Sequence, residues 1–174
     1  MPSNRTYKMV LLGDFGVGKT SLGVRITEDR FEELTKATIG VAHFRAQIMD
    51  SFYRRATLEI WDTAGQERYR SLDNMRMYLR NASAALVIFD VTSKRSFDSA
   101  KRLVAQLQSD DVNASAQLII ALVANKNDLQ DHQIDLHTLQ SYANAHNVPV
   151  FGLASCKTGF NVANIVRQVA DRLT

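Results

Sequence analysis

The sequence predicts an α/β domain: a doubly wound, mostly parallel six-stranded sheet with one antiparallel edge strand and helices on both faces. Three observations predict it. Short apolar runs alternate with stretches of helical periodicity, the pattern of βαβ units. Two neighbouring runs are separated by too few residues for a crossover helix, so they must pair as a hairpin. A glycine-rich loop stands between the first run and the first helical stretch. The 174 residues correspond to about one domain of typical size. No repeat, low-complexity tract or Pro-rich hinge interrupts them, so residues 1–174 are expected to form a single domain.

The elements follow in order. Tyr7 to Leu12 is the first strand, the loop Gly13 to Thr20 comes next, and Ser21 to Ile26 opens a helix. Phe31 to Gly40 lacks packed periodicity and reads as a loop. Val41 to Met49 and Thr57 to Trp61 are strands, and Asp50 to Tyr53 begins the turn between them, which makes this pair the edge hairpin. Ala84 to Phe89 is the fourth strand. Beyond Ser96, the residues Phe97, Ala100, Val104 and Leu107 recur at spacings of three and four, an apolar stripe along one helix face. Leu118 to Val123 and Val148 to Leu153 are the remaining strands. Leu136, Leu139 and Ala143 form a stripe behind a candidate cap at Asp135, and Val162, Ile165, Val166, Val169 and Leu173 line the last helix. All these stripes are expected to pack on the sheet.

Composition narrows the function classes. Hydrophobic residues are 45% and charged residues 22%, too apolar for a disordered chain. The longest apolar stretches, Ala84 to Phe89 and Leu118 to Ala124, fall far short of the roughly 18 residues of a spanning helix. The N-terminus lacks the pattern of a secretory signal, and the lone Cys156 excludes an internal disulfide, so a reducing, cytoplasmic compartment is expected. The formal charge is +3 and the pI about 9.1. Nucleic-acid binders concentrate their charge; the nearest cluster here, Arg68, Arg70, Arg76 and Arg80, reads as a solvated helix face, with an acidic protein partner as the alternative.

The loop GDFGVGKT, Gly13 to Thr20, matches G-x-x-x-x-G-K-[ST] at every fixed position and leads from a strand into a helix. Gly13, Gly16 and Gly18 permit backbone conformations and close approaches that let successive N–H groups point at phosphate oxygens. Lys19 supplies a compact cation for the β and γ phosphates, the Thr20 hydroxyl suits Mg²⁺, and the helix N-terminus adds favourable potential. Phe15, Gly16, Val17, Gly18, Lys19, Thr20 and Ser21 are thus the expected contacts at the phosphate end. The third strand ends in WDTAGQE, where Asp62 is placed to hold Mg²⁺ through water, Gly65 to offer a bare N–H to the γ phosphate, and Gln66 to orient an attacking water. After the fifth strand comes NKND, Asn125 to Asp128, at the ligand-binding end of an open α/β sheet. Guanine presents N1–H and an exocyclic amine side by side, and the Asp128 carboxylate can accept both; adenine has no such pair.

With TIGV at Thr38 to Val41, these motifs resemble the Ras superfamily of small GTPases, and most closely its Rab branch, over essentially the whole chain. The resemblance implies GTP and GDP as ligands with Mg²⁺, and a switch that hydrolyses GTP and controls effectors in vesicle traffic. It gives Thr38 a second hydroxyl for Mg²⁺ and an N–H for the γ phosphate. It lays the stem of Lys126 over the base and has Asn125 tie its loop to the phosphate loop. SCK, Ser155 to Lys157, resembles the family's Ser-Ala-Lys, with the Cys156 N–H meeting guanine O6, and Phe31 stands at the aromatic position that covers the base. Effectors are implied to read Phe31 to Gly40 and Thr63 to Met77, and an exchange factor and a GTPase-activating protein are implied as regulators. The chain is expected to be monomeric, with no nucleic-acid partner.

Several positions depart from the family's pattern. Phe15 stands where glycine or a small polar residue is usual; a phenyl ring there reaches toward the γ phosphate and is expected to slow hydrolysis and blunt the response to activators. That departure keeps a second reading open, a nucleotide-dependent effector-binding module with negligible turnover. An ATP-using protein would share the phosphate loop but has no use for NKND followed by SCK. Phe44 and Trp61 match two aromatic positions of the Rab effector surface, with Tyr69 or Tyr78 as the third, while Thr35 replaces a common tyrosine. No cysteine for prenylation stands at the C-terminal end, so membrane attachment, on the cytosolic face of endomembranes, is expected only through a lipidated tail outside this chain.

Overall fold

The computed structural model describes residues 5–33, 40–64, 72–109 and 117–174. Its strands are β1 (Arg5–Leu12), β2 (Val41–Met49), β3 (Arg55–Thr63), β4 (Ala82–Asp90), β5 (Ile119–Asn125) and β6 (Val150–Leu153), and they form one sheet in the order β2-β3-β1-β4-β5-β6. β2 runs antiparallel to β3, with Val41 opposite Thr63 and Met49 opposite Arg55. The other pairings are parallel. Among the described residues the helices are α1 (Lys19–Glu28), α2 (Leu72–Leu79), α3 (Lys94–Gln108), α4 (Leu136–Ala145) and α5 (Val162–Leu173). The doubly wound mixed sheet expected from the sequence is therefore the observed fold.

Alternation along the strands sends side chains to two cores. One gathers Val10, Leu12, Val87 and Phe89 of the sheet under α2, α3 and α4; the other gathers Met9, Leu11, Leu58 and Ile60 under α1 and α5. The α3 stripe is buried as its spacing predicts, Phe97, Ala100, Val104 and Leu107 all lying in the first core. Each large apolar side chain buried this way contributes roughly 1.5–3 kcal/mol. Ser93 begins α3 by accepting a hydrogen bond from the Ser96 N–H at 3.2 Å, and Asp135 begins α4 by accepting from the Thr138 N–H at 2.8 Å.

Two expectations need correction. Leu136 is half exposed, whereas Leu139 and Ala143 are buried. A helical side chain lies over the turn preceding its own Cα, and Leu136, first in α4, has no such turn beneath it. β6 begins at Val150 rather than Val148 because the Val148 N–H is spent on Ala143 O, closing α4 at 2.9 Å, and Pro149 has no N–H to give.

The β2–β3 turn lies at the amino edge of the parallel strands. There the Asp50 carboxylate accepts from Phe52 N, Arg54 N and Arg54 Nε, and from the Thr174 hydroxyl beyond α5. The carboxyl edge, opposite, holds the loops that follow β1, β3, β4, β5 and β6. No helix among the described residues is long and apolar enough to cross a membrane.

Candidate functional site

At the centre of the sheet, β1 sends its connection toward β2 while the chain beyond β4 proceeds to β5 and β6. Open α/β sheets bind ligands at such a reversal, outside the carboxyl ends of the strands. The loop after β1 sits there under two close approaches. A Cβ on Gly13 would stand 2.3 Å from the Ile88 carbonyl of β4, and one on Gly18 would stand 2.2 Å from the Asn125 side-chain nitrogen. With φ of +148° and +105° as well, neither position admits another residue without displacing backbone or its neighbour.

Lys19 opens α1, nearly buried, and its ammonium donates to the carbonyls of Gly13 and Asp14 at 2.9 and 2.8 Å. Burial pushes this group down to about 8, partly offset by the carboxylates of Asp62 and Asp14. A buried cation hydrogen-bonded to two loop carbonyls is primed for an anion. Beside it the Thr20 hydroxyl donates to Asp62 Oδ2 at 2.5 Å, and Asp62 is fully buried at the end of β3. A hydroxyl and a carboxylate in contact are hard oxygen donors, the kind Mg²⁺ takes in ones and twos while keeping its waters. The two residues fit that ion.

Asn125, 2% exposed at the end of β5, joins three loops. Its Nδ2 donates to Val17 O of the phosphate loop at 2.9 Å, and its Oδ1 accepts from the Cys156 N–H at 3.0 Å. The tie between Asn125 and the phosphate loop is thus where the resemblance implied it. The Cys156 N–H, expected to meet a base oxygen, has Asn125 Oδ1 as its acceptor in this structure. Next along the chain, Lys126 adopts φ +68° and its ammonium pairs with Asp90 Oδ2 at 2.8 Å. Burial opposes ionisation of Asp90, but hydrogen bonds from Lys126 and Thr92 outweigh it and hold the carboxyl below the usual range. Asp128 is exposed, and its Oδ1 accepts from the Ser155 hydroxyl at 2.6 Å.

A cavity of about 270 Å³ is lined by Gly16, Ser21, Phe31, Glu32, Glu33, Asn125, Lys126, Asp128, Leu129, Cys156 and Lys157, while Lys19, Thr20 and Asp62 lie outside its lining. Phosphate loop, aromatic position, NKND and SCK thus converge, although more than a hundred residues separate the first from the last. Across the mouth, Lys157 Nζ stands 3.3 Å from Glu33 Oε1. Cys156 is buried, and burial pushes its thiol up to about 12, so it serves as a packed small residue and not a nucleophile. Phe15 is 75% exposed and outside the cavity lining. Thr38, Gly65 and Gln66 lie outside the described residues, as do Thr35, Tyr69, Arg68 and Arg70.

One sequence assignment is overturned. Phe44 and Trp61 do not share a surface: Phe44 pairs with Ile60 and presses its ring on Gly23 of α1, whereas Trp61 pairs with His43, the two rings 4.1 Å apart on the other face. Adjacent strand residues point to opposite faces, so a one-residue slip in aligning β2 exchanges the sides. Tyr78, offered as the third aromatic, is buried at 6% exposure. Sequence reading also missed Asp90 and Glu33. Asp90 carried a signal, a carboxylate at the carboxyl end of a central strand, while Glu33 carried none.

A model of the Ras family matches residues 8–174. Among curated proteins, the chain is 42% identical over 167 residues to the Ras-related protein RABF2b of Arabidopsis thaliana, covering 95% of this chain and 80% of that one. It is 40% identical over 170 residues to the Ras-related protein Rab5A of Oryza sativa subsp. japonica, covering 97% and 80%. With the putative Ras-related protein Rab-5B of Dictyostelium discoideum it shares 37% identity over 171 residues, covering 98% and 76%.

Proposed function

The chain belongs to the Ras family, and from that premise we propose that it is a Rab-like switch that binds GTP and GDP with Mg²⁺, hydrolyses GTP and offers effectors a different surface in each state. The observation that carries this is the Asn125 side chain, which joins the phosphate loop at Val17 to the base loop at Cys156 around one cavity. A ligand held at both ends must have phosphates at one and a base at the other. Asp128, exposed at the cavity and steadied by Ser155, selects guanine by accepting its two adjacent donors. A site built on such bonds leaves polar groups unpaired when the wrong base enters.

In this reading Lys19 shifts from its loop carbonyls to share its protons with the β and γ phosphates, and loop N–H groups bind the remaining oxygens. Thr20, Asp62 and Thr38 would hold Mg²⁺, which when bound offsets charge on the phosphate oxygens. Gln66 orients the water that attacks the γ phosphorus in line, and the bond to the bridging oxygen breaks to leave GDP and phosphate. Loss of the γ phosphate frees Thr38 and Gly65, so Phe31 to Gly40 and Thr63 to Met77 change shape, and effectors, an exchange factor and a GTPase-activating protein read or drive the change. The chain acts as a monomer in the cytoplasm, and on the cytosolic face of endomembranes where a lipidated tail outside this chain attaches it, without nucleic acid. Competition between GTP and ATP for the Mg²⁺-loaded protein tests the core of this proposal; equal affinities overturn it.

Turnover is slow in this proposal. The ring of Phe15 is 75% exposed on the phosphate loop, so packing gives no reason for a phenyl there. It is free to occupy the space that Gln66, the water or an inserted arginine requires. Single-turnover cleavage of GTP should speed up by about tenfold or more in Phe15→Gly, and should then respond to activating proteins. An unchanged rate removes the steric explanation. Phe15 equally favours a second reading, a nucleotide-dependent binding module, which holds if the wild-type protein shows no cleavage with added Mg²⁺ while keeping GTP affinity.

A further inference from the structure

We propose that Arg25 is a positioning residue for the base-reading carboxylate Asp128, acting through the turn that follows Ser155; the proposal rests on the guanine-nucleotide reading of the cleft. Arg25 lies on α1, five residues beyond Thr20, so one rigid helix carries both the phosphate end and this side chain. The guanidinium reaches across to the far loop: Nε donates to Cys156 O and Nη2 to Lys157 O, each at 2.9 Å. Its third arm, Nη1, donates to the Asp29 carbonyl and carboxylate at 2.8 and 3.0 Å, which fixes the orientation of the fork. The Arg25 side chain is 12% exposed; its bond to Cys156 O is partly buried, and those to Lys157 O and Asp29 lie at the surface.

Two consecutive carbonyls converge on one guanidinium because residues 156–158 form a turn. A peptide unit is planar, so fixing a carbonyl fixes the N–H on the other side of its plane. The plane whose oxygen is Lys157 O carries the Thr158 N–H, which donates to the Ser155 hydroxyl oxygen at 3.1 Å. The Ser155 hydroxyl, its proton directed away by that bond, donates to Asp128 Oδ1 at 2.6 Å. The path from Arg25 to Asp128 is therefore three hydrogen bonds joined through one rigid peptide plane, charge-assisted at both ends, in which each step orients and polarises the next. An arginine is required at its head because a lysine ammonium lacks the planar fork that engages both carbonyls in fixed geometry.

The test uses GDP and IDP as probes, with affinities measured by calorimetry on the full chain. Hypoxanthine lacks the exocyclic amine and forfeits one of the two donors that Asp128 accepts. Arg25→Ala should weaken GDP by about tenfold or more but IDP by less, so that the preference for GDP narrows several-fold. Arg25→Lys, which keeps the stem and charge, should fall between wild type and alanine. A merely structural role lowers both affinities by one factor, and an unchanged ratio overturns the proposal. If the alanine variant does not fold, the lysine variant decides on the same ratio. Failure of the underlying reading looks different: wild-type protein would then bind ADP as well as GDP.

Discussion

Two buried polar hubs stand at opposite edges of the sheet. At the amino edge Asp50, 4% exposed, takes hydrogen bonds from Phe52 N, Arg54 N, Arg54 Nε and Thr174 Oγ1. At the carboxyl edge Asn125, 2% exposed, gives one to Val17 and takes one from Cys156. Both obey the rule that buried polar groups find partners. They differ in where the partners lead. Those of Asp50 return into the fold, to the hairpin and to the residue that ends α5, whereas those of Asn125 belong to loops whose remaining polar groups face a cavity. A closed network holds the fold together; one with open ends is completed by a ligand.

The contrast predicts what each hub loses when damaged. The largest effect belongs to an open end. Asp128→Ala should abolish the preference for guanine over adenine nucleotides, lowering GDP affinity by about a thousandfold or more. Because Asp128 is exposed, the melting temperature without nucleotide should scarcely move. Calorimetric titration and a thermal melt separate the two, and a large loss of stability with intact affinity would reverse the roles assigned to the edges. Asn125→Ala is intermediate and should damage both properties. It strands the Val17 carbonyl and the Cys156 N–H, at about 1–3 kcal/mol for each buried group left unsatisfied, and it loosens the phosphate loop from the base loop. Denaturant unfolding should show a loss of about 2–4 kcal/mol, and GDP affinity should fall by roughly a hundredfold. If only one property changes, Asn125 does not join the two ends of the site.

What the sequence disclosed follows the same division. Its βα alternation and short hairpin were enough for the mostly parallel sheet and its antiparallel edge pair, because apolar periodicity and connection length are local. The loop proposed to hold phosphate, Gly13 to Thr20, was legible because the chemistry demands such residues in one contiguous stretch. Asp128, proposed to read the base, was legible because guanine's donor pair calls for a carboxylate. Arg25 was not: an arginine inside a helix looks solvated until the fold brings a loop more than a hundred residues away against it. Phe44 failed for a related reason. Which side of β2 a residue faces depends on register, and a one-residue shift inverts it.

The closed hub makes the smallest change in function and the clearest change with pH. Burial opposes ionisation of Asp50, but hydrogen bonds from Thr174, Arg54 and Phe52 outweigh it and bring the carboxyl down to about 2. An unfolded aspartate titrates near 4, so the depressed group contributes stability that is fully present above about pH 4. That contribution fades as pH falls through the interval down to about 2, because there the unfolded chain binds the proton more readily than the folded one. Asp50→Asn keeps the size of the side chain and removes the charge. Its melting temperature should lie several degrees below wild type at pH 7, and the gap should close on acidification through that interval. GDP affinity should stay within about twofold of wild type, since no partner of Asp50 lines the cavity. A gap that persists at pH 2 would mean that shape at the hairpin, and not the ionised carboxylate, ties β2 and β3 to the end of α5. A fall in nucleotide affinity would show that the amino edge is coupled to the cleft, and the two hubs would then have to be treated as one network.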